Sequence, residues 1–466
     1  MSGRLERRFA IAASGTSLRR EVLAGVTTYL AMSYIILVNP RVLAGAGMDS
    51  GAVMVATCLA SAAATVWMGL HANYPIGLAP GMGHNFFFAI TVCGPIAAGG
   101  LGYPWQAALA AVFVSGCLFI VASFWEVRAR IVDMVPGHLK TSIAVGIGLL
   151  IAMVGLRWGG LLVATPGTYI GLGDLGSPPV LLTLFGLLLT AWLTVARVTA
   201  ALVVGILATA TVAVFARMPH SEVVGWWGYF SHAWESVKGV ELVGLPPSMA
   251  PTFLAMDFGG LFRHSDFLSV VFVFLFVDLF DTVGTLIGVG QRAGLLVKGR
   301  LLRARQAFLA DAVGTVAGAA MGTSTVTSYV ESAAGVAAGG RTGLAALVTS
   351  GLMAGSIFFY PLVELVGGGY DAGGGLVLYP ALAPALIMIG VFMMQGIGLI
   401  NWSLPLEAIP AFLTMVMMPL TTSITEGIAF GFISTSVLYL ASGRARSLHW
   451  GVHLIAGLFL LRYIVL

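Results

Sequence analysis

Long runs of apolar residues, almost free of charges, recur along the whole 466-residue chain. About 20 consecutive apolar residues are enough for a helix to cross a bilayer. Hydrophobic residues make up 58% of the chain and charged residues only 9%, against about 25% charged residues in a soluble domain. The sequence therefore predicts an all-α polytopic membrane protein that contacts the lipid bilayer along most of its length.

About 14 candidate spans follow from this length criterion. The first seven lie at roughly 21–38, 52–70, 77–92, 104–124, 139–156, 180–196 and 198–216. The second seven lie at roughly 267–290, 307–321, 325–338, 342–362, 382–400, 405–420 and 425–441. The predicted organisation is an N-terminal tail, a first seven-span repeat, an outer loop, a second seven-span repeat and a C-terminal tail or interfacial helix, at 1–20, 21–216, 217–266, 267–441 and 442–466.

The basic residues support this count, because cytoplasmic loops of membrane proteins carry an excess of lysine and arginine. With alternating spans and a cytoplasmic N-terminus, 17 basic residues fall inside and 5 outside, and Arg462 is unassigned. Both termini are then expected in the cytoplasm, with the protein in the cell (inner or plasma) membrane. The basic loop 291–305 is an orientation signal under this rule, so no nucleic-acid partner is predicted.

The two halves resemble each other in sequence. The stretch AVGIGLLIAMVGLRWGG, from position 144, is similar to LIMIGVFMMQGIGLINWSL, from position 386, and matches Gly155 with Gly398 at an offset of 243. The same offset places Asn85 opposite Ser328. Because seven is odd, consecutive repeats must be inverted relative to one another, an arrangement typical of secondary transporters with a site between the repeats.

The third span of each half is interrupted. PIGLAPGMGHNFFFAI, at 75–90, contains prolines and glycines, and GTSTVTSYVESAAGVA, at 322–337, is rich in small polar residues. Interrupted segments at corresponding positions of two halves indicate a transport site. A helix kinked only for packing is the alternative.

Three acids lie inside apolar spans: Asp278, Asp281 and Glu331. A carboxylate at the bilayer centre costs at least ~2.5 kcal/mol, so such residues commonly mark a substrate or proton pathway. Asp278 also suits a structural carboxylate bonded to a neighbouring helix. Asp311 follows the basic loop, where an acid favours a helix N-terminus, and is predicted to be structural.

His84 and Asn85 occupy the interrupted third span. A histidine there can relay protons or bind a ligand, although a lone histidine is more commonly a packing residue. The Asn85 amide offers both donors and acceptors, which suits a heteroaromatic ligand. No catalytic residue and no metal ligand set is predicted.

The chain resembles the AzgA-like purine permeases of the nucleobase–ascorbate (nucleobase/cation symporter-2) transporters. The matching stretches include EVLAGVTTYLAMSYIILVNP, ANYPIGLAPGMGHNFFFA, DLFDTVGTLIGVGQRAGLL and GTSTVTSYVESAAGVAAGGRTG, from positions 21, 72, 278 and 322. The resemblance implies a uracil permease-like fold with short strands in spans 3 and 10. It also implies a core domain and a gate domain, approximately 21–124 plus 267–362 and 139–216 plus 382–441.

The resemblance implies a proton symporter that imports purine bases, namely hypoxanthine, guanine or adenine. Glu331 would hold the base and Asp281 would bind or carry the proton, with Asp278 as a further coupling acid. Asn85, His84 and the backbone near Gly83 and Ser328 complete the predicted substrate-binding set. No cofactor is expected beyond the coupling proton, and Na⁺ stays open as an alternative ion.

Other functions stay open at this stage. A uracil, xanthine or anion carrier can share the fold, and the chain has GMGHNFFFA where the family commonly reads GMGLNAFFA, so base preference is not fixed. A membrane-embedded enzyme is the remote alternative, based on GLGD at 171–174 and YD at 370–371. A homodimer is suggested by the resemblance alone.

Overall fold

The computed structural model describes residues 2–96, 99–124, 134–165, 170–216, 242–297, 300–371 and 377–465. Most of these residues are helical, as the apolar runs predict. The first part of the predicted outer loop, 217–241, lies outside the described residues.

The helices are numbered in chain order. In the first half they are α1 (Ser2–Phe9), α2 (Leu18–Met32), α3 (Tyr34–Ala44), α4 (Ser50–Trp67), α5 (Met82–Phe86), α6 (Trp105–Phe124), α7 (Gly137–Trp158), α8 (Pro178–Val195) and α9 (Ala201–Ala216). In the second half they are α10 (Phe258–Arg263), α11 (Phe267–Arg292), α12 (Ala304–Met321), α13 (Ser332–Ala337), α14 (Gly343–Gly355), α15 (Tyr360–Val366), α16 (Ala383–Met393), α17 (Pro405–Thr421), α18 (Ile424–Ala441) and α19 (Trp450–Val465).

Eight short strands form four two-stranded antiparallel sheets within the described ranges. The strands are β1 (Leu78–Pro80), β2 (Leu162–Val163), β3 (Gly171–Leu172), β4 (Leu296–Val297), β5 (Arg300–Leu301), β6 (Val326–Ser328), β7 (Tyr370–Asp371) and β8 (Val377–Leu378). Only β1 pairs with a strand distant in sequence, β6, so this pair joins the two halves of the chain.

Eight helical stretches of the described residues are long and apolar enough to cross a membrane, and four apolar helices are shorter. Three of the shorter helices, α9, α16 and α17, occupy predicted spans. The eight long stretches, these three helices, α12 and the two strand–helix segments β1–α5 and β6–α13 make up the fourteen segments that the sequence predicts. The fourth shorter helix, α19, is additional.

The helices pack in two groups. In the first group α14 packs on α2 and α4, α12 packs on α4 and α6, and α11 packs on α6 and contacts α5. In the second group α7 packs on α16 and α17, α17 packs on α18, and α8 packs on α9. Each group thus combines helices from both halves of the chain, as inverted repeats require.

A close backbone crossing fixes one end of the first group. A Cβ added to Gly69 would lie 2.7 Å from the carbonyl oxygen of Gly343, and one added to Gly343 would overlap the carbonyl oxygen of Gly69. Asn73 adopts a left-handed φ of 54° beside this crossing, and its Oδ1 accepts a hydrogen bond from Gly343 N at 2.7 Å. Small residues allow membrane helices to approach this closely.

Gly343→Ala is therefore expected to destabilise the protein by about 1–3 kcal/mol, the usual cost of overpacking. Gly351→Ala is the matched control, because it lies on the same helix and a Cβ there meets no atom within 4 Å. Thermal unfolding of the purified variants in detergent measures the effect. Equal midpoints for the two variants would contradict the importance of the crossing.

The two repeats do not keep a constant sequence offset of 243 in the structure. β1 begins at Leu78 and β6 at Val326, 248 positions apart, so the third spans do not share the offset of the Gly155 pair. Asn85 lies on helix α5, whereas Ser328 lies on strand β6. The predicted equivalence of Asn85 and Ser328 is wrong, because the segments between the matched elements differ in length.

Residues 442–466, predicted as a tail or an interfacial helix, contain a well-packed helix. α19 lies against α18, and Val452, Ala456 and Phe459 are buried in the main apolar core.

Candidate functional site

Each interrupted segment contains a short strand, as the resemblance predicts for spans 3 and 10, and the two segments meet through these strands. β1 and β6 pair antiparallel with Leu78 opposite Ser328, and Gly81 N donates to Thr325 O at 2.9 Å just beyond the sheet. Every residue of both strands is buried. Irregular backbone at membrane depth must find its hydrogen bonds within the protein, and this pairing supplies them.

Asp311 anchors strand β6 through side-chain hydrogen bonds. Its Oδ1 accepts hydrogen bonds from Ser328 N and Ser328 Oγ, both at 2.8 Å, and its Oδ2 accepts one from Thr282 Oγ1 at 2.6 Å. The side chain is fully buried. Asp311 lies two turns inside α12, which begins at Ala304, so the prediction that it opens the helix is wrong.

Asp278 is also buried and also supports β6. Its Oδ2 accepts a hydrogen bond from Thr315 Oγ1 at 3.1 Å, and Thr315 Oγ1 is also 3.0 Å from Val326 O of β6. Asp278 Oδ1 has no hydrogen-bond partner among the described residues. Asp278 therefore supports the sheet through one oxygen, while its other oxygen is buried without a hydrogen-bond partner among the described residues.

Asp281 and Glu331 are more accessible than these two acids. Both side chains are half-buried, and the charge of Asp281 interacts with those of Asp311 and Glu331. Tyr34 OH donates to Glu331 Oε1 at 2.9 Å. No lysine or arginine within the described ranges forms an ion pair with either acid, so their charges are available to a proton or to a hydrogen-bonding substrate.

Asn85 and His84 lie next to the sheet on α5. Asn85 is buried, accepts a hydrogen bond from Ser324 Oγ, and has Met82 Sδ 3.8 Å from its Nδ2. His84 is 1% exposed, and neither ring nitrogen has a hydrogen-bond partner in the part of the chain that the structure describes. A Cβ on Gly81 would lie 2.6 Å from His84 Nδ1, so the imidazole lies over the start of α5.

Gly83 and Ser328, both predicted to bind the substrate through their backbone, contact other parts of the protein in this structure. A Cβ on Gly83 would lie 2.8 Å from Ile147 Cγ2 on α7, so Gly83 lies where the two helix groups meet. Ser328 uses both its amide and its hydroxyl hydrogen on Asp311. In this conformation Ser328 can accept a hydrogen bond from a ligand but has no free donor.

Sequence reasoning missed several residues of the site. Asp311 was assigned a capping role, and Tyr34, Thr282 and Ser324 were not singled out as partners of the acids and of Asn85. An acid eight positions into a helix that crosses the apolar region was a usable signal for Asp311. The hydroxyl partners carry no such signal, because Ser, Thr and Tyr are common in membrane helices.

Buried and half-buried acids beside two paired, interrupted membrane segments from opposite halves are typical of secondary transporters. The model of the Permease family, Xan_ur_permease, matches residues 19–430 of this chain. The chain belongs to this family, as its AzgA-like motifs predicted. It is a multi-pass membrane transporter and not an enzyme. The GLGD stretch begins in β3 and YD forms β7, so the two stretches belong to separate small sheets, β2–β3 and β7–β8.

Curated relatives match nearly the whole chain. The guanine/hypoxanthine permease PbuO of Bacillus subtilis is 42% identical over 451 residues, covering 97% of this chain and 98% of the relative. The adenine permease AdeP of Escherichia coli is 41% identical over 463 residues, covering 99% of this chain and 96% of the relative.

Solved structures share the fold at low sequence identity. The transmembrane domain of the cyanobacterial bicarbonate transporter BicA has a TM-score of 0.59 at 15% identity, covering 88% of this chain and 97% of that chain. SLC26A9 has a TM-score of 0.58 at 11% identity, covering 94% of this chain and 68% of that chain. These similarities confirm the predicted uracil permease-like fold class.

Proposed function

We propose that the protein imports purine bases, namely hypoxanthine, guanine or adenine, together with protons. The observation that carries this proposal is the pair of half-buried acids, Asp281 and Glu331, beside the β1–β6 crossing without a basic partner among the described residues. The names of the relatives PbuO and AdeP support the substrate class.

The chemistry of a purine suits Glu331. A purine presents ring N–H donors beside ring-nitrogen acceptors, and a carboxylate accepts hydrogen bonds only. Tyr34 fixes Glu331 through Oε1, so the carboxylate is positioned before a base arrives. Asn85 can then form a hydrogen bond with the other edge of the base, once that bond replaces its present hydrogen bond with Ser324.

Asp281 is the proposed proton carrier. Its side chain makes no hydrogen bond to another described residue, and it interacts with the charges of both Asp311 and Glu331. Repulsion among these acids favours binding of one positive charge to the cluster. Asp278, with its unpaired Oδ1, is the second candidate for that proton, and Na⁺ is the alternative coupling ion.

An anion carrier is a weaker proposal. The related folds include a bicarbonate transporter, but an anion would meet the carboxyl groups of Asp278, Asp281 and Glu331, and no lysine or arginine among the described residues forms an ion pair with these three acids. Repulsion between two like charges about 4 Å apart costs about 4 kcal/mol at an effective dielectric constant of about 20. Uracil and xanthine also present ring N–H donors to a carboxylate, so only uptake measurements distinguish a carrier of these bases from a carrier of the proposed purines.

Alternating access would arise from movement of the first helix group, as the core, against the second, as the gate. Gly83 supports this assignment, because it is the point at which α5 of the first group touches Ile147 of the second. A side chain at Gly83 would fill that contact. The predicted homodimer remains a prediction.

His84→Leu is expected to change the preference among purines. The imidazole is buried with both nitrogens unpaired, and a neutral hydrogen bond to the base is worth ~0.5–1.5 kcal/mol, or about 2- to 10-fold in affinity. Competition of adenine and hypoxanthine for labelled guanine uptake measures the preference. His138→Leu is the matched control, because His138 is also buried but lies at the start of α7; equal competition profiles for both variants would contradict the role of His84.

Uptake of radiolabelled hypoxanthine, guanine, adenine, xanthine and uracil tests the proposal in cells that lack their own base permeases. Saturable uptake of at least one purine is expected, with loss of uptake when a protonophore collapses the proton gradient. Absence of purine uptake by protein that is present in the membrane would contradict the substrate class. Uptake that is insensitive to the protonophore but depends on Na⁺ would show that Na⁺, and not the proton, is the coupling ion.

A further inference from the structure

The C-terminal helix α19 runs antiparallel along the length of α18. Near one end, Ser436 Oγ and His453 Nδ1 are 2.7 Å apart, and in the middle the rings of Phe432 and Phe459 lie 6.5 Å apart. At the other end, Arg462 forms an ion pair with the start of α18. As residue numbers rise along α19, their partners fall along α18, so α19 ends beside the residues where α18 begins.

The beginning of α18 lies on the opposite side of the protein from the N-terminus. Three crossings, α2–α3, α4 with its π-helical extension, and β1–α5 with Phe87–Val92, lead from the N-terminus to Thr91. Thr91 Oγ1 donates to Thr422 O at 3.3 Å, directly before α18. The start of α19 lies at the other side, where a side chain on Gly451 would overlap Met134 Sδ, three residues before α7.

The surface of α19 suits contact with lipid. Leu458, Leu461 and Ile464 are exposed, whereas Val452 and Phe459 are buried on the opposite face. A helix of 16 residues is about 24 Å long at 1.5 Å per residue. It is therefore nearly as long as α17, which has 17 residues and occupies a predicted span.

The charges at the end of α19 are compensated. Arg462 Nη1 lies 2.9 Å from Glu426 Oε1, and Tyr463 OH also donates to the Glu426 carboxylate. Charged residues at membrane depth are expected to be paired. This pairing accounts for an arginine near the side that the positive-inside rule disfavours.

We propose that α19 is a fifteenth membrane crossing, so that the C-terminus lies on the opposite side of the membrane from the N-terminus. The polar contacts of α19 among the described residues are largely with α18, through Glu426 and Ser436. Its contact with α11 of the first helix group is between the apolar rings of Phe459 and Phe272. α19 therefore moves with α18 and slides on α11, and it is not an interfacial tail.

Cysteine labelling in intact cells tests this topology on the full chain. Single cysteines are introduced into a variant in which Cys58, Cys93 and Cys117 are replaced, at Ala13→Cys, at Leu175→Cys and after Leu466 through a short glycine–serine linker. Ala13 and Leu175 are both exposed, and five crossings separate them. A membrane-impermeant maleimide is applied before and after permeabilisation.

The cysteine after Leu466 is expected to label under the same condition as Leu175→Cys and under the opposite condition from Ala13→Cys. This comparison does not depend on which side faces the cytoplasm or on transport activity. Labelling of the terminal cysteine in parallel with Ala13→Cys would overturn the proposal.

A charge exchange tests the attachment of α19 to α18. Arg462→Glu is expected to lower the thermal midpoint and to reduce the labelling of the terminal cysteine at its expected side. The double variant Glu426→Arg/Arg462→Glu is expected to restore both. A double variant that behaves no better than Arg462→Glu would overturn the attachment.

Discussion

Glu331→Gln is expected to reduce purine uptake by about 100-fold while the protein remains folded in the membrane. Glutamine has nearly the same shape, but it replaces one acceptor oxygen by a donor and removes the charge. A hydrogen bond to a charged group contributes ~1.5–3 kcal/mol, and the upper end of this range corresponds to about 100-fold. Tyr34 retains an acceptor in the variant, so the site is not expected to collapse.

Glu364→Gln is the matched control for this prediction. Glu364 is exposed on α15 and accepts a hydrogen bond from Tyr360 at 3.2 Å, so its loss leaves the site unchanged. Initial uptake rates, normalised to the amount of protein in the membrane, compare the two variants with the parent. Uptake in Glu331→Gln that equals uptake in Glu364→Gln would exclude Glu331 as the base-binding acid.

Asp311→Asn is expected to lower both stability and uptake. The carboxylate accepts three hydrogen bonds from Ser328 and Thr282, whereas an asparagine must place an NH₂ group against one set of these donors. Leaving a buried donor unpaired costs ~1–3 kcal/mol. Because β6 is held by these bonds, the base-binding residues beside the sheet lose their fixed positions.

Thermal unfolding with and without hypoxanthine measures this effect. The expected result is a lower midpoint that the base no longer raises, together with at least about 10-fold slower uptake. Asp174→Asn is the control, because Asp174 accepts a hydrogen bond from Gly176 N in an exposed loop. A ligand-induced shift in Asp311→Asn equal to that of the control would show that Asp311 does not position the site.

The sequence directs attention to this candidate site because membrane-embedded acids and interrupted apolar segments are rare. Glu331 is half-buried in the second interrupted segment, whose strand β6 pairs with β1 of the first, and Asp281 is half-buried on the neighbouring helix α11. The role of Asp311 could not be predicted, because a sequence does not show where α12 begins after a basic loop. Because α12 begins at Ala304, seven residues before Asp311, the carboxylate lies two turns inside the helix, where it bonds to β6.

The repeat register and the C-terminal helix escaped prediction for different physical reasons. The offset between Gly155 and Gly398 does not carry over to the third spans, because connecting segments of unequal length separate the matched elements. The sequence leaves α19 as a tail or an interfacial helix, because hydropathy alone does not reveal that Arg462 has a partner. The partner, Glu426, lies 36 residues earlier and reaches it only when α19 folds back along α18.

Purified protein reconstituted into liposomes tests the central claim most directly. Liposomes with an alkaline interior are mixed with labelled purine in Na⁺-free buffer, and internal purine is measured over time. The account predicts transient accumulation above the external concentration that disappears without the pH gradient and in Asp281→Asn. Equilibration at the same rate and level with and without the gradient would contradict proton coupling, and no purine entry at all would contradict the proposed function.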